Sequence, residues 1–198
     1  MFVADNRYTN DKNFKKKRRI DMKATGIVRR IDDLGRVVIP KEIRRTLKIR
    51  EGDPLEIFTN NEGEVIFKKY SSIGEINEAA NSAAEVIYKL GGAPVVVFDR
   101  DHVVAVAGTS KKEYSERRVS AELEDLIESR STYIKNGDKF MPIEGVSKPA
   151  LAITPIISSG DVTGAVAFVE GESEQQASEK HLMLTKAAAM FLGKQIES

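Results

Sequence analysis

The chain has 198 residues, of which 41% are hydrophobic and 31% are charged, values typical of one or two globular domains. It contains no cysteine, which excludes disulfides, thiolate zinc sites and cysteine nucleophiles. No apolar run approaches the ~20 residues that a membrane span needs, and the polar N-terminus is unlike a secretory signal. We therefore expect a cytoplasmic protein that does not enter a membrane.

The net charge of +1 hides an uneven distribution along the chain. Residues 1–73 carry 18 Lys and Arg against 11 Asp and Glu, whereas residues 74–198 carry 13 against 19. A basic first part and an acidic second part indicate two domains with different partners, the first of which faces a polyanion.

Residues 1–21 form a polar leader that contains the unbroken basic run Lys15–Arg19. One interpretation is an arm that lies against nucleic acid. The other is a disordered leader, or an upstream extension of a protein that starts at Met22, and we favour it because blocks of like charge are usually solvated.

Residues 23–69 have the pattern strand–strand–helix–strand–strand. Alternating apolar residues and turn residues mark the strands. The predicted strands are Gly26–Ile31, Arg36–Ile39, Leu55–Phe58 and Val65–Lys69. Between the first two, Asp32 to Gly35 form a turn in which Gly35 is free to take positive φ. Pro40 ends the second strand and suits the first position of a short helix, which continues over Lys41–Leu47.

Cationic side chains gather on two parts of this unit. Three arginines flank the first turn, namely Arg29, Arg30 and Arg36. A second set follows helical spacing within one arc of about 100°, namely Lys41, Arg44, Arg45 and Lys48. Only Glu42 interrupts the helix with a negative charge, so a neutralised surface is the weaker interpretation. Because arginine forks onto phosphate and guanine edges, we favour binding to a polyanion.

Such a small unit of short strands buries little apolar area and has no cysteine to staple it. Association is the remaining way to stabilise it. A two-fold dimer would also double the arginine set and suit a pseudo-symmetric duplex site.

The rest of the chain predicts an α/β sheet domain with flanking helices. The predicted helices are Ser71–Leu90, Arg117–Arg130 and Ser178–Glu197, and the predicted strands are Val95–Asp99, His102–Ala107, Leu151–Ile157 and Val162–Val169. Residues 131–148 are weakly patterned. The first and last helices have alanine-rich faces, which favour close approach to another helix and give dimerisation an edge over packing within one chain.

Catalytic material is scarce in this second part. His102 and His181 are the only histidines, and neither has a partner at metal-ligand spacing. Ser158 and Ser159 lack the glycine on both sides that a nucleophile elbow needs. We therefore expect no enzymatic activity, no metal and no cofactor.

Residues Met22 to Tyr70, with the motifs GIVR, DDLGRVVIP and EIRRTL, closely resemble the AbrB-like DNA-binding domain of bacterial transition-state regulators. The resemblance implies a swapped-hairpin β-barrel made by two chains that binds double-stranded DNA. It implies DNA contacts by Arg29, Arg30, Arg36, Arg44 and Arg45. Lys41 and Lys48 are added from the helical stripe alone.

The junction GEVIFKKYSSI and the motif AGTSKKEYSERRVS extend the resemblance to members of this family that continue into a GAF domain. The implied fold is α+β, with an AbrB-like domain over 22–72 and a GAF-like domain over 73–198 that begins with a linker helix, 73–90. Residues 1–21 fall outside the resemblance and are expected to be a disordered basic leader. The implied function is a homotetrameric, nucleoid-associated activator and repressor of sporulation genes in the forespore.

Two alternatives stay open. Antitoxins of toxin–antitoxin pairs share the AbrB-like head, but they usually continue into a short acidic tail rather than a patterned domain. A GAF domain that senses a small molecule, with DNA binding secondary, is the other alternative. From the residues we favour a scaffold with a filled core over a sensor.

Overall fold

The structure of the protein is a computed structural model that describes residues 25–115 and 117–197. The basic run Lys15–Arg19 lies outside these residues. The chain divides into two compact units between Glu51 and Gly52. The domain bounds expected from the sequence, 22–72 and 73–198, stay a prediction.

The first unit contains the short helix α1, Lys41–Thr46. The turn before it is confirmed, with Gly35 at a φ of 76° and its N–H donated to Asp32 O at 3.0 Å. The predicted strands 26–31 and 36–39 are wrong for the single chain, since these described residues carry no regular strand. A strand needs a ladder of successive backbone hydrogen bonds. Across this turn the N–H of Asp32 donates to Arg36 O at 3.0 Å, and one such bond does not make a ladder.

The second unit begins with an antiparallel hairpin of β1, Leu55–Thr59, and β2, Val65–Lys69. Asn60 shapes the connection, because its Oδ1 accepts the N–H groups of Glu62 and Glu64, each at 3.0 Å. An asparagine that bonds the backbone two residues on is a standard turn former. The hairpin predicted from the sequence is confirmed to within one residue.

A five-stranded sheet forms the centre of the second unit. Its strands are β3 (Val95–Asp99), β4 (Val103–Ala107), β5 (Tyr133–Ile134), β6 (Ala150–Ser158) and β7 (Asp161–Val169). The strand order is β4-β3-β7-β6-β5, and every neighbouring pair is antiparallel. Four of these strands were predicted from the sequence, whereas the two-residue β5 is too short to leave a pattern.

Helices cover both faces of the sheet. They are α2 (Ser72–Glu75), α3 (Asn77–Gly91), α4 (Lys111–Tyr114), α5 (Ala121–Glu128) and α6 (Glu179–Ile196). The prediction of a single helix over 71–90 is wrong, because the helix is interrupted at Ile76, which separates α2 from α3. Gly74 and Asn77 flank that break, and both are poor residues for a helix interior.

The helix predicted to begin at Arg117 begins later, at Ala121. Arg118 and Val119 instead form isolated bridges with His102 and Ile143. Ser120 then caps the helix, since its Oγ accepts the N–H of Leu123 at 3.1 Å.

Alternate residues of each central strand enter two separate buried clusters. Val95 and Val97 face the cluster that contains residues of α2, α3 and α6, whereas Val96 and Phe98 face the cluster that contains residues of α4 and α5. An antiparallel sheet between two helical layers is the GAF-like domain expected from the sequence. No helix among the described residues is long and apolar enough to cross a membrane.

Two polar contacts fix parts of this domain. The buried Thr154 of β6 and Thr185 of α6 share a hydrogen bond of 2.8 Å between their hydroxyls. Lys135 Nζ donates to Glu170 Oε1 at 2.5 Å, with both side chains at most 10% exposed. Each contact supplies a partner that a buried polar group needs.

Candidate nucleic-acid interface

The turn between residues 32 and 36 aims one arginine at solvent. The Asp32 carboxylate accepts the backbone N–H of Arg36 at 2.7 Å and its Nε at 2.8 Å. These hydrogen bonds lower the pKa of Asp32, the backbone bond contributing most. The Arg36 side chain is nevertheless 70% exposed, so its terminal guanidinium nitrogens stay accessible. Asp32 therefore orients Arg36 without covering it.

Arg29 and Arg30 lie on the segment that enters this turn, and both are exposed. The described contact of the Arg29 guanidinium is a long bond of 3.4 Å to the neighbouring carbonyl of Val28. Arg29, Arg30 and Arg36 thus lie on the two sides of one turn, as the sequence predicts.

Helix α1 presents a cationic side formed by fewer residues than predicted. Lys41 and Arg45 are exposed and Arg44 is half-buried. The helix ends at Thr46, and Lys48 follows in a left-handed conformation with φ at 52°. The placement of Lys48 on the helical stripe is therefore wrong, because the spacing of seven residues holds only while the helix continues. Pro40 serves as the N-cap rather than the first helical residue.

Arg44 differs from its neighbours in how its side chain is solvated. Its Nε is buried and has no hydrogen-bond partner among the described residues, an arrangement that costs free energy. An acceptor supplied from outside this part of the chain would remove that cost.

The first unit also exposes an unusual amount of apolar surface. Its exposed large apolar residues are Ile27, Val28, Ile31, Leu34, Val37, Val38 and Leu47. Within the second unit, the hairpin separately exposes Ile57, Val65 and Phe67. Exposed apolar side chains in this number are typical of an interaction surface, and those of the first unit lie on the same unit as the arginines.

The two histidines have structural contacts. His181 is 8% exposed, its Nδ1 lies 3.2 Å from Ser178 Oγ, and its Nε2 lies 3.2 Å from Gly91 O. It therefore caps α6 and ties that helix to the end of α3. His102 lies in the β3–β4 turn beside Arg118.

A basic, arginine-bearing unit followed by an α/β sheet domain is the arrangement that the sequence predicts for a two-domain DNA-binding regulator. A family model described as stage V sporulation protein T C-terminal, transcription factor, matches residues 75–197. Stage V sporulation protein T of Bacillus subtilis is 47% identical over 179 residues, which cover 89% of this chain and 99% of that protein. The chain therefore belongs to the stage V sporulation protein T family.

Comparisons of the parts agree with this assignment. Transition state regulatory protein AbrB of Bacillus subtilis is 63% identical over 49 residues, which cover 25% of this chain and 50% of that protein. A model described as antidote-toxin recognition MazE, bacterial antitoxin, matches residues 28–74. A crystal structure of a methyl-accepting chemotaxis protein, residues 122 to 287, covers 63% of this chain and 90% of its own, with 18% identity and a TM-score of 0.51. That last likeness concerns the fold alone.

Proposed function

We propose that this protein is a sequence-specific regulator that binds double-stranded DNA through a dimeric N-terminal domain, residues 22–72, which we call the head. The DNA-contacting residues in this proposal are Arg29, Arg30, Arg36, Lys41, Arg44, Arg45 and Lys48. The observation that carries it is the orientation of Arg36 by Asp32, which keeps an exposed guanidinium in place at the turn. A cation held in position loses less conformational entropy when it meets a phosphate.

The dimeric head is proposed from the apolar surface around these cations. Residues 26–39 lack a ladder partner within the described chain, and their apolar side chains are exposed. A swapped hairpin between two chains would satisfy both needs at once. The same exposure on α6, at Met183, Met190 and Phe191, supports a second contact between GAF-like domains and hence a tetramer.

The GAF-like domain is proposed to act as a scaffold rather than as a sensor of a small molecule. Both faces of its sheet pack against buried apolar side chains. A depression beside β4, between Asn81 and Lys111, has a volume of about 50 Å³, which is smaller than the ~300 Å³ or more of a usual small-molecule site, so this depression does not support a sensor. We propose that the protein acts without catalysis on sporulation genes at the forespore nucleoid, as activator and repressor.

The antitoxin alternative has one observation in its favour, the match of residues 28–74 to an antitoxin model. That match covers the head, which both classes share. Residues 75–197 fold as a sheet domain, so the chain continues differently from an antitoxin with a short acidic tail. The regulator is therefore the better proposal.

Titration of duplex DNA at several salt concentrations tests DNA binding. Each phosphate contact contributes about 0.9 to the slope of log affinity against log salt. A dimer of the Arg36→Ala and Arg44→Ala double variant lacks up to about four contacts, so its slope should be shallower by up to about 3.6. The matched control, Lys180→Ala with Lys186→Ala, removes two exposed cations of the second unit. Equal slopes in both double variants would refute the proposed surface.

A further inference from the structure

The β1–β2 hairpin belongs to the head by sequence, since the antitoxin model spans residues 28–74. It nevertheless lies in the same compact unit as the GAF-like sheet. Neither buried apolar cluster of the described chain contains a hairpin residue. The contacts that join the hairpin to the sheet domain must therefore be sought among polar groups.

Four charged side chains make such a contact. Asp53, just before β1, accepts from Arg100 Nη1 at 2.9 Å and lies 3.5 Å from Lys69 Nζ. Lys69, at the end of β2, lies 2.5 Å from Asp101 Oδ2. The Asp53 side chain is 4% exposed and that of Asp101 16%, so these charges are largely shielded from water and salt. We call these four residues the ionic junction.

The turn that supplies Arg100 and Asp101 is itself held by hydrogen bonds. Asp99 Oδ1 accepts the N–H groups of Asp101 at 2.8 Å and of His102 at 2.6 Å. The carbonyl of Asp101 accepts the N–H of Val119 at 2.9 Å. The carboxylate of Asp101 is thereby presented to the hairpin from a fixed backbone.

We propose that Arg100 and Asp101 are positioning residues for DNA binding, which rests on the proposed function of the head. They contact no DNA. Through Asp53 and Lys69 they hold the hairpin against the GAF-like domain, and so they fix the direction in which the hairpin leaves that domain. A shielded ion pair adds little net stability but penalises any arrangement that separates its charges, which is the property that positioning requires.

A distance measurement on the full chain tests this directly. Because the chain has no native cysteine, spin labels can be attached at Asn61→Cys in the hairpin turn and Lys186→Cys on α6, with labelled subunits diluted in unlabelled ones. The parent should give one narrow distance distribution. Asp101→Asn and Lys69→Met should broaden it at least twofold, whereas Lys69→Arg, which keeps the charge, should not.

Asp161→Asn is the matched control, since Asp161 is an exposed aspartate at the start of β7. Unchanged widths in Asp101→Asn would overturn the proposal. This measurement needs no DNA, so it judges the ionic junction even if the chain binds none.

The functional measurement compares the affinity for mixed-sequence duplexes of about 20 and about 60 base pairs. Several heads of one oligomer can bind the long duplex together, and the affinity gained in this way is largest when the heads are held in place. In Asp101→Asn, affinity for the short duplex should change less than twofold, and the advantage of the long duplex should fall about tenfold. Equal losses on both duplexes, or an unchanged advantage, would refute positioning. Failure of the parent to bind either duplex would instead refute the proposed function.

Discussion

Gly193 of α6 lies against the backbone of β6, and replacing it with alanine should destabilise the GAF-like domain. An ideal Cβ at this position would lie 2.2 Å from Ile157 O, more than ~1 Å inside ordinary van der Waals contact. Ile157 is paired with Val162 of β7, so the carbonyl cannot retreat without disturbing the sheet. The clash must be relieved by moving α6.

Two effects of opposite sign set the magnitude. Overpacking in a core costs about 1–3 kcal/mol, and a backbone neighbour places Gly193→Ala at the upper end. Alanine gains about 1 kcal/mol over glycine inside a helix. The free energy of unfolding should therefore fall by about 2 kcal/mol, which corresponds to a melting temperature lower by roughly 4–8 °C for a chain of this size.

Urea unfolding followed by far-ultraviolet circular dichroism measures this change, because α3 and α6 are the two longest described helices. Gly171→Ala is the matched control, since its Cβ would meet Pro94 at an ordinary 3.8 Å. The control should unfold close to the parent, with an unchanged dependence on urea. A Gly193→Ala variant as stable as the control would refute the packing deduced for α6.

Three further outcomes are expected. The backbone N–H of Arg36, and then its guanidinium, lower the pKa of Asp32. The Asp32 carboxylate therefore stabilises the turn fully above pH 3.8, and this stabilisation is lost as the pH falls through the lowered pKa. An NMR titration of Asp32 should give a pKa below 3.8 in the parent and a higher pKa in Arg36→Ala. Thr185→Val should lower the free energy of unfolding by about 1–2 kcal/mol, because it leaves the buried Thr154 hydroxyl without its partner. The double variant Thr154→Val with Thr185→Val should recover most of that loss. The hydrogen bond that Lys135 donates to the Glu170 carboxylate raises the pKa of Lys135. The stability difference between the parent and Lys135→Met should therefore be constant from neutral pH to about pH 10.5 and shrink above it.

The sheet domain was well predicted because its signals are local. Runs such as Val95–Asp99 and Val162–Val169 are apolar, bounded by turn residues and long enough to identify. What the sequence missed depends on contacts between distant residues. Strand β5 exists through its pairing with β6, and the start of α5 is set by the bridge of Arg118 to His102.

The DNA contacts predicted from the sequence stay a prediction, but the geometry assigned to one of them was wrong, and the sequence missed the ionic junction. Periodicity placed Lys48 on the helical stripe because it contains no information on where a short helix ends. The ionic junction left no signal, since Asp53, Lys69 and Asp101 are far apart in sequence and charged residues usually indicate a solvated surface. Only the fold brings them together.

The least predictable segment, residues 26–39, is also the one most dependent on a second chain. Its alternation is that of a strand, yet it forms no ladder in the described chain and exposes its apolar side chains. Both observations have one cause if a second chain supplies the strand partner and also covers the exposed apolar side chains. The arginines on this segment would then occur in symmetric pairs, so each substitution should alter the salt dependence of DNA binding as two lost contacts rather than one.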